Sequence, residues 1–486
     1  MKSLVDVRQV VFEDKSEKLE LPVQSLDHCD HMIKTALAGH PQLAADHLLS
    51  KEIAGRLCET VGNVIRQLEL EFLKSEVSQS DPICVQTGRI RVRQRAYETL
   101  IEIALNAIGS ESKRVGFSDE EIEWTLQHIV RTLETWESLE MRANPDPESS
   151  TATAVVERFI HDMKIVAAGT SMVAKTADEI EKELVRGRLA ATFVLAAEKA
   201  IHANIYYRMA AEGLCKFGND YALGLRWLRH IGFVQVSTNP VLAARAYDDD
   251  PSLWNDFRRI VQAHPEWHDS PESLSDEITM QATMVALWPN LVVFRPIALL
   301  SKQHDGMVSY QLNPGVAGSL EGSIKDALKI YSSAQEFLRE YDAYLMWGYS
   351  NKEERGRPNI VFKVAGESPI AADITTALNE IGIGTNNTVT FTVAQEVTLI
   401  VAAMKGMAKA KKMGIPITQV YETNMGGRLE SHLREVEAEG ILSQLLDKTN
   451  RKEDILRKLA EQLGALEELD RAASLEDKVA IICSFK

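Results

Sequence analysis

Apolar residues recur every three or four positions through residues 1–211. AGRLCETVGNVIRQLELEFL (54–73) and EEIEWTLQHIVRTLETWESLEM (120–141) each show one apolar stripe and one charged face, the pattern of amphipathic helices. This spacing predicts a helical N-terminal domain over residues 1–145. ANPDPESSTAT (143–153) reads as a linker, because two prolines are followed by small polar residues. No proline occurs from Ala154 to Ala211 and the helical spacing continues, so 154–212 is predicted to be a helical connector. No internal repeat or low-complexity tract is evident.

The pattern changes near Leu214. LCKF (214–217), FVQVS (233–237), MVSYQL (307–312), NIVFKV (359–364), TVTFTV (388–393) and ITQVY (417–421) read as short strands set between helical stretches, with KVAIICSF (478–485) as a last candidate. NLVVFRPIALL (290–300) fits a strand or a buried helix. Strands alternating with helices predict an α/β domain over 213–486, built on a parallel sheet, open or closed. In such folds chemistry gathers at the C-terminal ends of the strands. The polar residues there are Asp220, Thr238 and Asn239, then Gln311 and Lys363, then Asn386, Thr388, Thr423 and Arg428.

Composition narrows the functional classes. A chain of 486 residues with 45% hydrophobic and 26% charged residues is an ordinary globular protein of more than one domain. A net charge of −16 argues against a general nucleic-acid binder and leaves room for a local basic pocket. No apolar run reaches the length of a membrane span, and MKSLVDVRQVVFEDKSEK lacks a signal-peptide core. Cys29, Cys58, Cys84, Cys215 and Cys483 form no CxxC pair, so they read as buried free thiols in a reducing cytoplasm.

Lys363 stands out inside the apolar run NIVFKVAGES. Burial among apolar neighbours disfavours the ammonium, and a neutral amine can attack a carbonyl to form a Schiff base. The plain alternative is a strand-end lysine that reaches solvent or pairs with a carboxylate. The other polar residues have plain readings too. Asn239 fits a turn, Asn386 and Thr388 fit capping groups, Arg428 fits a surface charge, and Asp220 fits the N-cap of the helix that follows it. HCDH (28–31) matches no common zinc spacing and reads as a solvated helix end. GRIRVRQR (88–95) reads as a charged helix or strand face. GIGT (382–385) is not a dinucleotide fingerprint.

Read in order, STNPVLAARA (237–246), VSYQLNP (308–314), FKVAGES (362–368), IGTNNTVTFTVAQ (383–395) and ETNMGGRLESHL (422–433) resemble the transaldolase family of class I Schiff-base aldolases, which includes the fructose-6-phosphate aldolase branch. The resemblance covers roughly residues 214–435 and leaves the helical N-terminal part outside. It implies a (β/α)8-type barrel, no metal or other cofactor, and phosphosugar substrates in pentose-phosphate-type metabolism. Lys363 would form the imine, with Asp220, Gln311 and Thr388 as its catalytic companions. Asn239, Asn386, Thr423 and Arg428 would bind substrate, with the amides of Gly426 and Gly427 helping Arg428 hold phosphate. Transfer of a three-carbon unit to an aldehyde is the implied reaction, with release of that unit as the aldolase alternative.

Two departures qualify the resemblance. Gln311 stands where transaldolases carry a glutamate, as in the aldolase branch, but Met425 stands where that branch has a tyrosine. An amide orients water but does not move a proton at neutral pH. The second departure is the helix-rich stretch after Arg428. Seven strand candidates fall short of the eight that a closed barrel needs, so the barrel is expected to be incomplete. The missing wall would come from the N-terminal domain or from another chain (a homo-oligomer or a partner completing the barrel), unless the strand count is wrong. A non-catalytic or partner-dependent assembly protein is the competing reading.

Overall fold

The protein is described by a computed structural model over residues 5–21, 27–78, 80–144, 146, 149–350 and 354–484. Up to Ala211 the described residues contain helices and no strand. The helix Ile83–Ile108 runs through their centre. From Arg93 to Ile108 every residue is buried, as expected of a helix wrapped by others on all sides. The basic run GRIRVRQR lies on this helix, and two of its arginines face inward. Arg93 pairs with Glu140 at 3.3 Å and Arg95 with Asp14 at 3.0 Å. The helix Asp119–Ala143 starts at a capping box between Ser118 and Glu121 and buries Trp136, which stacks on Phe72 at 4.5 Å. Pro145 and Pro147 of the expected linker lie outside the described residues. Across it, Glu140 accepts hydrogen bonds from the amides of Thr151 and Ala152, the first residues of the helix Thr151–Lys164.

Six parallel strands follow, paired in chain order: β1 (Phe217–Asn219), β2 (Phe233–Ser237), β3 (Met307–Gln311), β4 (Ile360–Ala365), β5 (Gly384–Thr390) and β6 (Tyr421–Asn424). Helices separate them, and the sheet curls into a half-barrel. Among the described residues β1 and β6 do not pair with each other, so the barrel is incomplete. Val236, Val308, Tyr310, Phe362 and Val364 project from the outer face into one hydrophobic core that also contains residues of the N-terminal helices from Val10 onward. That shared core fixes the half-barrel against the helical layer.

Several expected elements differ. LCKF contributes only Phe217 to β1. The fifth strand begins at Gly384 and ends at Thr390, because Thr392 caps the helix Val393–Lys412 through a capping box with Gln395. ITQVY contributes only Tyr421 to β6. KVAIICSF is helical from Lys478 to Cys483, within Leu475–Cys483; Phe485 lies outside the described residues. Ser474 and Asp477 form a capping box there, and Val479 packs with Leu442, Leu446, Leu456 and Leu469 in a separate small cluster. NLVVFRPIALL belongs to the helix Ser275–Leu300. By length and composition this helix would pass for a membrane span, contrary to the expectation that no run is long enough, but 67% of its apolar window is buried inside the protein. Of the five cysteines, which are all free, only Cys29 is buried; Cys84 is exposed.

The HCDH segment is not a solvated helix end. Asp27 caps the helix His28–Leu37, and Cys29 and His31 turn inward. His31 Nε2 lies 2.8 Å from the Tyr344 carbonyl, His47 Nδ1 lies 2.8 Å from the Leu345 carbonyl, and His28 Nδ1 lies 2.8 Å from His47 Nε2. Trp347 stacks on His31, and Tyr349 stacks on His28 and His47. Burial lowers the pKa of all three histidines from 6.5. The unfolded chain therefore binds more protons below that value, and stability is lost as pH falls. Thermal melts are expected to drop between pH 7 and pH 5 by less in His47→Gln than in the native protein; equal slopes would remove the histidine cluster as the cause.

Candidate active site

Side chains alternate across a strand, so the register decides which residues share the concave face. Gln311 pairs with Lys363, Lys363 with Asn386, and Ser237 with Ser309. Placed at the ends of neighbouring strands, their side chains converge. Lys363 Nζ donates to Ser237 Oγ at 3.1 Å. Asn386 Nδ2 donates to Ser309 Oγ at 3.0 Å and lies 3.4 Å from Ser237 Oγ. Thr423 Oγ1 donates to Asn386 Oδ1 at 2.7 Å. The neighbouring Asn387 faces the other way, bonded to Thr375 at 2.8 Å and Glu422 at 2.5 Å, so one step along the strand separates a site residue from a structural one.

Lys363 is 9% exposed. Desolvation lowers its pKa from 10.5; the charge of Asp220 opposes this and that of Arg428 adds to it. A larger fraction of neutral amine at neutral pH is the result. Asp220 follows β1 and is open to solvent, but its carboxylate leans toward the lysine. Partial burial raises its pKa, while Lys363, the Ser237 hydroxyl and Arg428 pull it back. It is not a helix N-cap: Gly224, in the left-handed region at φ 73°, holds that position for Leu225–His230.

The remaining predicted residues are placed less uniformly. Asn239 caps the helix Pro240–Asp249, its Oδ1 accepting the Leu242 amide at 2.9 Å, so the turn-forming reading is realised and the amide group remains for other contacts. Gln311 and Lys363 line one small crevice, bordered also by the carboxylate-bearing Glu367. Thr388 is buried and pairs with Ala365, two residues beyond Lys363, its hydroxyl against the Met425 sulfur at 3.8 Å. Neither Asn386 nor Thr388 is a cap; both lie within β5. Arg428 is exposed in the first turn of the helix Gly426–Asp447. The Gly426 amide donates to Asn424 at 2.7 Å, which leaves Gly427 as the glycine amide at the start of that helix. Among the described residues no group of three or more His, Cys, Asp or Glu is placed to hold a metal.

Ser237 and Ser309 were not singled out by the sequence, yet both touch the central polar groups. The signal was the period-two pattern of FVQVS and MVSYQ, which puts small hydroxyls on the face that carries Lys363. In β5, Val389 adopts φ 59° where the β5–β6 register slips between Asn387 and Thr390. This β-bulge re-aims the end of the strand that carries Asn386 and Thr388.

Residues 219–421 match the family model described as Transaldolase/Fructose-6-phosphate aldolase. Among curated proteins the chain is similar to a transaldolase of Thiobacillus denitrificans, at 24% identity over 183 residues. That match covers 38% of this chain and 43% of the relative, so the chain spans less than half the length of the curated relative it matches.

Proposed function

We propose, on the premise that residues 219–421 are a transaldolase/fructose-6-phosphate aldolase segment, that the site is a Schiff-base centre acting on phosphorylated ketoses. The desolvated amine of Lys363, held beside Ser237 and facing Asp220, carries this reading. The neutral amine adds to the ketose carbonyl, and loss of water gives the imine. Asp220 takes the proton of the hydroxyl next to the scissile carbon–carbon bond, the bond breaks, an aldehyde leaves, and a three-carbon enamine stays on the lysine. The enamine then adds to an acceptor aldehyde, and hydrolysis of the new imine frees Lys363. Asn386, Asn239 and Thr423 hold substrate hydroxyls, and Thr388 and Gln311 position water. Arg428, with the Gly427 amide, holds the phosphate by charge-assisted hydrogen bonds.

Gln311 favours a second outcome for the same intermediate. With an amide in place of a proton-moving carboxylate, protonation of the enamine and hydrolysis would release the three-carbon unit, an aldehyde-lyase reaction. The open edge of β6 supports a further proposal: another strand pairs there, from a second copy or from a partner chain, since an exposed parallel edge is a pairing template. If so, activity would depend on assembly. A cytoplasmic location belongs to the same reading.

Borohydride trapping tests the function. Fructose 6-phosphate is expected to leave a reduced adduct on Lys363 in the native chain. In Arg428→Ala, trapping from fructose 6-phosphate should weaken ~30–150-fold in affinity, the loss of one charge-assisted contact, while trapping from unphosphorylated fructose changes little. No adduct from either ketose, in a folded and fully assembled sample, would overturn the Schiff-base reading; equal losses for both would remove Arg428 as the phosphate ligand.

A further inference from the structure

We propose that the cavity between the helical layer and the half-barrel is a second small-molecule site, one that takes a neutral polyol or sugar. The cavity has a volume of about 560 Å³ and lies apart from Lys363. That size suits a small metabolite, and ligand sites favour boundaries between structural units. One wall comes from the helices Ile83–Ile108 and Thr151–Lys164 through Glu98, Glu102 and Arg158; the other comes from Leu225–His230 and Ser275–Leu300 through Trp227, His230 and Asn290.

The second wall carries unmet hydrogen-bonding demand. Trp227 Nε1, Asn290 Nδ2 and His230 Nε2 have no protein partner, although Trp227 is 6%, Asn290 2% and His230 0% exposed. His230 Nδ1 sits 2.8 Å from Glu111, which leaves Nε2 for another partner. Buried polar atoms without partners cost free energy, so two donors, Trp227 Nε1 and Asn290 Nδ2, and a ring nitrogen of His230 that accepts when Nδ1 carries the proton, all along one cavity wall, point to a hydroxyl-bearing occupant that both accepts and donates. Two carboxylates of the first wall are already paired. Arg158 is 2.5 Å from Glu98, and Arg226 is 2.6 Å from Glu102. An anionic ligand would meet these two carboxylates and that of Asp162, which lines the same wall with no ion pair among the described residues; a neutral ligand rich in hydroxyls meets the unpartnered groups without adding a charge. The inference does not depend on the aldol reading, because it uses no residue of that site.

The test uses the full chain with tryptophan labelled at the indole nitrogen, the Trp227 resonance being assigned from Trp227→Phe. Erythritol, ribitol and sorbitol are the probes; lacking a carbonyl, they form no imine at Lys363. At least one is expected to move the Trp227 indole signal saturably at millimolar concentration. Asn290→Leu, which keeps the volume and removes the donor, should weaken that binding about tenfold, the loss of one buried hydrogen bond, and leave borohydride trapping at Lys363 unchanged. If Asn290→Leu does not fold, calorimetric titration of Trp227→Phe replaces it, with the same weakening expected. The proposal is overturned if none of the three polyols moves the signal, which would mean that the cavity holds water alone, or if the substituted protein binds as the native chain does.

Discussion

Lys363→Ala is expected to lower ketose trapping by roughly 10³-fold or more, the scale seen when a covalent nucleophile is removed. Among the described residues Lys363 is the one lysine in the buried class. The other described lysines are partly or fully exposed. The substitution should not unfold the protein. It removes a group whose charged form is disfavoured by burial, so the thermal midpoint is expected to hold or rise. An undiminished adduct in the folded variant would move the nucleophile elsewhere and withdraw the assignment of this site.

Arg229→Ala is expected to cost about 3–5 kcal/mol of stability, as when one partner of a buried ionic network is removed. Arg229 is fully buried in the helix Leu225–His230. Its guanidinium donates to Glu111 at 2.7 Å, to Asp46 at 2.9 and 3.0 Å, to Asn106 at 2.7 Å and to the Val293 carbonyl at 2.6 Å. Burial pushes the Asp46 carboxyl up, but Arg226 and Arg229 outweigh it and hold it well below the usual carboxylate range. Truncation would leave Asp46 with Arg226 alone and Glu111 with His230 alone as charged partners in the interior between the helical layer and the half-barrel. A lysine cannot reproduce five directed contacts, so Arg229→Lys should recover only part of the loss. Urea denaturation measures both; a loss below about 1 kcal/mol, the scale of a surface pair, would show that the two layers are held by apolar packing alone.

The strands that pack on both faces were the most legible from sequence. FVQVS is β2 residue for residue, and MVSYQL and NIVFKV are within one position of β3 and β4. Their apolar outer positions and short length leave little choice. Legibility fell where backbone pairing overrides side-chain pattern. β5 begins in GTNN and β6 in YETN, which are too polar to read as strands because their inward positions carry the site. KVAIICSF misled in the opposite sense: its apolar run serves a small helical cluster, and the capping pair Ser474 and Asp477 was the missed sign. At the site, Lys363, Asn386 and Thr423 were legible and do converge. Ser237 was not: it ends the strand FVQVS, and only the register of the sheet places its hydroxyl beside the lysine. The buried histidines escaped for a related reason, because their partners are backbone carbonyls some 300 residues away.

Val389 gives the site a dependence that side-chain chemistry alone does not reveal. A β-branched residue in the left-handed region stores unfavourable backbone energy, on the order of 1–2 kcal/mol. That conformation persists because the chain is pinned on either side: Thr390 Oγ1 donates to the Thr423 carbonyl, and the Met425 amide donates to the Thr390 carbonyl. Thr388, just before Val389, lies against Met425, the residue between β6 and the helix that carries Arg428. The end of β5 therefore behaves as a loaded spring latched by β6. Loosening that outermost strand is expected to change the distance between Lys363 and Arg428, so the spacing of these two basic groups depends on the edge of the sheet rather than on its middle.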